Sequence, residues 1–426
     1  MDLREIKDNK VLTWSMLAVV LAYVILKSAG DGDFTVFLEA SRAMRFHQDM
    51  YGLWLNKICC RYYYSPLFAV ILLPFTYIPY FVAYFLWLGA NVWFLIRIWK
   101  IITTKIDMSS FTAGQFNVFF LLVFLLSFRF LDLNFDTMQM TIYLLWVMLE
   151  SIELFDKGKN IKGALLLSLA INIKIMPLVI IPYLLFRKKF IPVLWTALFF
   201  IVFLYLPVLF IGFDFNQQLL VSWFHSINPN KAEHNIDTVR GTQSLTSWLV
   251  PLLMSTEGEL PFKRNIATLD LTTVNCIING ARAFFILLTL YFTGFTFFKK
   301  AGSQLRELWE LGYIFLVMPL VFPHQQKYEF FLMFPATIYI CYFLVINYKY
   351  AFRYVSRVRV RTIAILLGLS FILNTLTSDL FIGMYYSDIT QHFKTITYGT
   401  FLVIAAYALC KPEFIEQIPA EGHSTN

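Results

Sequence analysis

Two aspartates, Asp31 and Asp33, stand in the run Ala29-Gly-Asp-Gly-Asp-Phe34, immediately after the first long apolar stretch of the chain. A carboxylate at the edge of a membrane costs solvation free energy, so it either caps a structure or is there for chemistry. Asp33 directly precedes a segment of helical spacing and reads two ways. As an N-cap it accepts a backbone N–H and favours the helix dipole. As a general base it takes a proton from a substrate hydroxyl. The two readings are compatible, because capping also fixes the side chain. Asp31, between Gly30 and Gly32, reads as a turn residue in a supporting role.

Further candidates are scattered along the chain. Lys174 sits in an otherwise apolar segment together with Asn172, Pro177 and Pro182. A lysine there snorkels, pairs, or neutralises a phosphate as a compact point charge. In the turn Phe322-Pro-His-Gln-Gln-Lys-Tyr-Glu329, His324 and Gln325 are able to donate to a phosphate oxygen or a sugar hydroxyl, and equally to cap the turn. Arg240 and Gln243, in Arg240-Gly-Thr-Gln-Ser-Leu245, are polar groups beside an apolar segment. The run Tyr62-Tyr63-Tyr64-Ser65-Pro66 suits an interfacial aromatic belt or a surface on which sugars stack. Asp132 and Asp136 read as caps flanking a turn. Five cysteines show no metal-ligand or redox spacing, and Cys59-Cys60 read as structural. No Walker, GxSxG or HExxH motif is present, which argues against ATP-driven transport and those hydrolase classes.

The elements that must position these residues are membrane helices. The 426 residues are 58% hydrophobic and 18% aromatic with only 15% charged, and 45 of them are Phe. Mean hydropathy is +0.64. Long apolar runs recur from Val11 to Leu409, which predicts an all-α polytopic bundle of roughly 10–13 spans at about 20 residues each. The net charge of +8 reads as positive-inside bias, not nucleic-acid affinity. Five basic clusters, around Arg97–Lys105, Lys157–Lys162, Arg187–Lys189, Lys299–Arg306 and Arg353–Arg361, can all be cytoplasmic under two conditions. Pro66–Pro79 must not cross, and Gly163–Phe186 must enter and return about a break at Lys174. The candidate residues then fall together on the extracytoplasmic face, and the cytoplasmic links are merely basic. Phe34, Phe37, Leu38, Ser41 and Met44 share one helical face opposite Glu39, Arg42 and Arg45, predicting an amphipathic helix in the membrane interface. Asn216–Phe224 is a second such candidate. The expected organisation is one integral membrane domain over 1–411 and a short polar cytoplasmic tail over 412–426.

The order of features resembles glycosyltransferase family 87, within the polyprenol-phosphate-dependent integral membrane (C-type) glycosyltransferases, whose members include mannosyltransferases. Asp33-Phe-x-x-Phe resembles its D-[FL]-x-x-Y. Tyr64-Ser-Pro-Leu resembles its Y-P-P-L, and Gly163-x5-Leu169-Ala-x3-Lys174-x2-Pro177 its A-G-x5-A-x3-K-x2-P. Thr242-Gln-Ser-Leu245 resembles its N-Q-S-L. Departures are Phe37 for Tyr, Ser65 for the first Pro, and Phe135-Asp136 for a common G-Q pair. The resemblance implies sugar transfer, of a hexose such as mannose, from a polyprenyl-phosphate donor to a lipid or glycan hydroxyl, with inversion. It makes Asp33 the catalytic base, Lys174, His324 and Arg240 the stabilisers of the leaving phosphate, and Asp31, Tyr51, Tyr64, Gln243 and Gln325 substrate neighbours. No cofactor, obligatory divalent ion or nucleic acid is expected. The expected location is the plasma membrane of a cell envelope, multi-pass, with the site on the outer side. The competing classes are a flippase of lipid-linked sugars and a non-catalytic polysaccharide-assembly protein. A transporter needs polar residues along both halves of a path, and here they gather at one face.

Overall fold

The computed structural model describes residues 10–53, 61–228 and 236–418. Cys59-Cys60 lie outside them. About 75% of the chain is helical, and there is no strand among the described residues. The first helices are α1 (Lys10–Ser28), α2 (Asp33–Arg45), α3 (Pro66–Leu72), α4 (Tyr80–Thr103), α5 (Ala113–Asp136), α6 (Thr141–Asp156), α7 (Asn160–Ile173), α8 (Ile180–Phe186) and α9 (Phe190–Tyr205). Then come α10 (Phe213–Ile227), α11 (Leu245–Leu253), α12 (Leu271–Thr293), α13 (Gln304–Val321), α14 (Phe334–Lys349), α15 (Arg357–Phe371), α16 (Asp379–His392) and α17 (Thr395–Leu409). Among the described residues seven helical segments are long and apolar enough to cross a membrane, eight if the bent pair α1–α2 counts as one. This is a polytopic membrane helical bundle. Lys327–Lys349 is its centre, 94% buried, whereas Phe190–Ile211 and Leu271–Thr293 are 17% buried and keep apolar flanks for lipid.

The amphipathic helix expected at Asn216–Phe224 lies within α10, and α11 and α16 are further helices that the apolar runs did not mark. The supposed turn Leu131–Asp136 belongs to α5, which a Thr112/Gln115 capping box starts and which runs to Asp136. Asp132 and Asp136 are therefore not caps. The Lys27 ammonium lies 3.2 Å from Asp132 and 2.9 Å from Asp136, and the Tyr23 hydroxyl donates to Asp132 at 2.6 Å. These contacts fasten α1 to α5.

The two short apolar stretches enter and return. Ser41 Oγ donates to the Ala69 carbonyl at 2.7 Å, and at the far end of that stretch the Arg42 guanidinium stacks on the Tyr80 ring, 4.6 Å away. Both ends of Pro66–Pro79 thus meet α2. Pro74 and Pro79 withhold backbone donors and limit the stretch to a short helix and a 3₁₀ turn. α7 and α8 behave likewise. Lys174, between them, reaches the end that carries α2, while Lys189 at the exit of α8 lies 2.5 Å from Asp156, the last residue of α6.

At the opposite end all five basic clusters gather, but the links there are not merely basic. Lys105 is 2.8 Å from Glu307, 3.6 Å from Glu153 and 3.9 Å from Asp156. Arg187 is paired with Glu310, and both side chains are nearly sealed, at 3% and 0% exposure. Arg187 also donates to Thr296 Oγ1 at 3.0 Å and the Lys299 carbonyl at 3.1 Å, tying α8 to the link after α12. Removing one partner of such a pair strands a buried charge. Arg187→Ala is expected to destabilise the protein by about 3–5 kcal/mol, while Arg187→Met combined with Glu310→Leu recovers much of that loss. Thermal unfolding in detergent checks both.

Candidate active site

The α5–α6 turn holds Asp33. The chain leaves α5 through Thr137 and Met138, the latter with left-handed backbone at φ 52°, and Gln139 N–H returns to the Asn134 carbonyl at 2.9 Å. Trp87 Nε1 donates to the Met138 carbonyl at 3.0 Å and fixes the turn. The Asp33 N–H in turn donates to Thr137 O at 2.9 Å. Asp33 is the first residue of α2, not its N-cap. Gly32 holds the cap position with no side-chain bond, which leaves the Asp33 carboxylate free of capping, and Oδ2 accepts from Gln139 Nε2.

Burial is the largest influence on Asp33 and raises its pKa; Asp31 and Glu329 add to the rise, while the Gln139 amide and the Lys174 ammonium oppose it. The net direction is upward. Asp31 accepts from the Gly32 N–H at 2.9 Å and from Thr35 Oγ1, which also meets the Tyr84 hydroxyl at 2.6 Å. These contacts hold the start of α2.

α2 itself is amphipathic as its spacing predicted, with Phe34, Phe37, Leu38, Ser41 and Met44 all buried. That face is not left for lipid. Phe34 stacks on Trp87 at 4.9 Å, and Phe37 meets the rings of Phe68 at 5.4 Å and Tyr64 at 4.7 Å. Behind Tyr64 stands Tyr51, whose hydroxyl donates to the Tyr64 carbonyl at 2.7 Å. Tyr51 is buried and acts as a support.

Lys174 reaches the same place from the break between α7 and α8. It is in extended conformation at φ −140°, pairs with Glu329, and lies 5.9 Å from the Tyr64 ring centroid. Glu329 is 2% exposed and accepts a second bond from Thr141 Oγ1 at 3.1 Å. Asp33, Tyr64, Lys174, Glu329 and Gln139 thus form one cluster.

Arg240, Gln243, His324 and Gln325 form a second. The Gln243 N–H donates to the Gln325 carbonyl at 2.8 Å, beside a bridge between Thr242 and Gln326. Gln243 is fully buried, and its amide holds the Arg240 and Gln391 carbonyls at 3.1 Å each. Gln325 closes on Pro323 O at 2.8 Å. Both glutamines shape the backbone. His324, with φ 55°, places Nδ1 3.2 Å from the sealed Asp237 carboxylate, and Arg240 lies 2.7 Å from Asp388 and 3.5 Å from Glu259. Lys394 Nζ donates to the Val239 and Thr242 carbonyls at 2.6 and 2.7 Å. Pro323–Glu329 therefore touches both clusters, the second through His324 and Gln325 and the first through Glu329. Asn134 Nδ2 on α5 donates to the Tyr328 carbonyl at 2.9 Å between them.

The family model for glycosyltransferase family 87 matches residues 62–323, well over half of the chain. The chain belongs to glycosyltransferase family 87. It is a membrane glycosyltransferase. No curated protein and no solved structure matches it. The matched region contains Tyr64, Lys174, Arg240 and Gln243, with Asp33 before it and His324 just after. Sequence reasoning on this family 87 chain missed Gln139, Thr141, Asp237 and Lys394. Glu329 stood at the end of the quoted turn, and its signal was an acid at the mouth of an apolar run.

The turn leaves no room at Gly32, where a Cβ would stand 2.8 Å from the Thr137 carbonyl oxygen. Gly32→Ala is expected to displace the start of α2 at a cost of about 1–3 kcal/mol and to lower sugar transfer more than it lowers the unfolding temperature. Paired activity and thermal-shift measurements check this.

Proposed function

We propose that this family 87 enzyme transfers a sugar from a polyprenyl-phosphate donor to an acceptor hydroxyl, in one inverting displacement, with Asp33 as general base. The observation that supports this most is the Asp33 carboxylate itself. It is largely but not fully buried, held by Gln139, and has its basicity raised by that burial. A base is most effective when its pKa approaches the operating pH. Asp33 takes the acceptor proton as the oxygen attacks the anomeric carbon, and the C–O bond to the donor phosphate breaks on the opposite face. Lys174, its own charge matched by Glu329, opposes the accumulation of carboxylates around Asp33 so that the base ionises. Tyr64 offers a ring for a sugar face. The leaving lipid phosphate departs toward the second cluster, where the His324 ring and the Arg240 guanidinium stand, and preorganised donors there stabilise its charge. The site is assigned to the extracytoplasmic face of the plasma membrane, because the basic clusters gather at the other end of the bundle.

Asp33→Asn is expected to lower transfer from a polyprenyl-phosphate sugar by roughly 10²–10⁴-fold. Wild-type transfer by a normally folded variant would overturn the assignment. The same variant tests the linked stability. A raised folded-state pKa means that ionised Asp33 disfavours folding, and its stabilising contribution, present below the unfolded pKa, is lost as pH rises through the folded one. Asp33→Asn at neutral pH is therefore expected to unfold no earlier than wild type.

The pH profile follows from the same direction. Only the ionised carboxylate accepts a proton, so kcat/KM is expected to fall on the acid side with a midpoint above the ordinary aspartate range. An acid limb within the ordinary range would show that the group titrating is not Asp33 in this environment.

A further inference from the structure

The cations around the site differ in whether a carboxylate neutralises them. Lys27 is matched by Asp132 and Asp136, Lys174 by Glu329, and Arg240 by Asp388 and Glu259. Lys327 and Arg129 have no such ion pair. Among the described residues neither makes a salt bridge, although Arg129 is 4% exposed and Lys327 is half-buried. Arg129 directs Nη1 to the Asn374 carbonyl and Thr377 Oγ1, both at 2.8 Å, and these are neutral acceptors.

The two cations belong to segments packed along each other. Phe130, next to Arg129, faces Phe330 at 6.2 Å between ring centroids, and Asn134 donates to the carbonyl of Tyr328, next to Lys327. The Lys327 N–H donates to Gly241 O at 3.2 Å, which brings in the Arg240 loop. Arg129, Arg240, Asp379 and Asp388 all lie within electrostatic reach of the Lys327 ammonium. Of the two acids, Asp388 is already paired with Arg240, and Asp379, which acts on Arg129 as well, is exposed and salt-bridged to neither among the described residues. Like charges held together away from water raise each other's energy until an anion joins them.

The contrast with the Asp33 cluster is one of sign. There Asp31 and Glu329 add negative charge around the Asp33 carboxylate, and the Lys174 ammonium, paired with Glu329, opposes it. Glu329 and Lys327 are two residues apart on the 3₁₀ turn Lys327–Met333. One short segment therefore carries an acid toward the proton-accepting cluster and a cation toward the unneutralised one.

We infer that Lys327 and Arg129 form the binding site for an oxoanion, the phosphate of the lipid carrier, on the side of the Pro323–Glu329 turn away from Asp33. The inference rests on the donor reading above and deepens it. A planar guanidinium and a mobile ammonium suit a phosphate, which offers several acceptor oxygens to both. The sugar would then bridge the two poles, its anomeric carbon between the phosphate and the acceptor oxygen at Asp33. Lys327 and Arg129 are phosphate-binding residues in this arrangement, and His324 and Arg240 lie at its border.

Binding by the purified full-length protein in detergent, followed by thermophoresis, tests this apart from catalysis. The ligands are polyprenyl phosphate, the uncharged polyprenol of equal length, and inorganic phosphate. Wild type is expected to prefer polyprenyl phosphate over polyprenol by at least about tenfold, the size of one charge-assisted contact. Lys327→Gln removes that preference without weakening polyprenol binding, and Lys327→Arg restores most of it. Lys188→Gln, an exposed lysine at the opposite end, changes nothing. Arg129→Gln serves only as a supporting variant, because its side chain also holds the Asn374 turn. Undiminished phosphate preference in Lys327→Gln, or an equal loss for both lipids, overturns the site. Inorganic phosphate binding as tightly as the lipid and lost in Lys327→Gln overturns the assignment to a lipid carrier. If wild type binds in the expected way but transfers no sugar from any such donor, the donor reading fails and the anion site stands.

Discussion

The ion pair between Lys174 and Glu329 is the contact on which the arrangement depends. Neither charge is tolerable alone in the interior of a membrane bundle. Lys174 stands where α7 ends, and Glu329 opens onto the most buried helix of the molecule, so pairing them sets the depth of the α7–α8 hairpin against the central helix. Thr141 takes the second oxygen of Glu329 and brings α6 into the same joint. Apolar burial contributes less to such a joint than it would in water, because lipid is as apolar as the side chains. Directional polar contacts therefore decide how the helices sit.

Around that joint, the two site-bearing turns share a feature. Met138 and His324 each hold left-handed backbone without being glycine. Such conformations cost about 1–3 kcal/mol and persist where surrounding structure over-determines them. For Met138 the determinants are visible: Trp87 holds its carbonyl, Gln139 is bonded back to Asn134, and Thr137 accepts the Asp33 N–H. Asp33 is thereby fixed to the turn that follows α5. At His324 the backbone bond between Gln243 and Gln325 plays the same part. In the proposed reaction, rigid turns of this kind hold a base and the phosphate's partners in place for a displacement with a charged leaving group.

Much of this was legible in the sequence. Apolar runs gave the membrane bundle, prolines gave the two stretches that turn back, and a lone lysine between half-helices marked a polar joint. The spacing of Phe34, Phe37, Leu38, Ser41 and Met44 gave the buried face of α2. Other readings failed for physical reasons. The spacing of Asn216–Phe224 marked α10, but hydropathy cannot separate a loop from a short or interfacial helix, so α11 and α16 were hidden. The period of α2 showed that one face is apolar but not what covers it, and the cover is Phe68, Tyr84 and Trp87. Counting basic residues missed the acids threaded among them, because Glu153, Asp156, Glu307 and Glu310 come from helices far apart in sequence.

By itself the sequence determined that this chain is a membrane glycosyltransferase of family 87, since composition and short local motifs carry that information. It also set apart Asp33, Lys174 and the Pro323–Glu329 turn, because isolated polar groups in apolar surroundings are conspicuous. Which of them meet was decided only by the tertiary structure. Partnership between charges is a long-range property: Glu329 neutralises Lys174 from 155 positions away, and Gln139 reaches Asp33 across 106. A cation's availability is what remains after all such pairings are made. For that reason the chain alone offered Lys174 as a phosphate ligand, whereas in the folded molecule Glu329 pairs with it, and Lys327 and Arg129 make no salt bridge among the described residues.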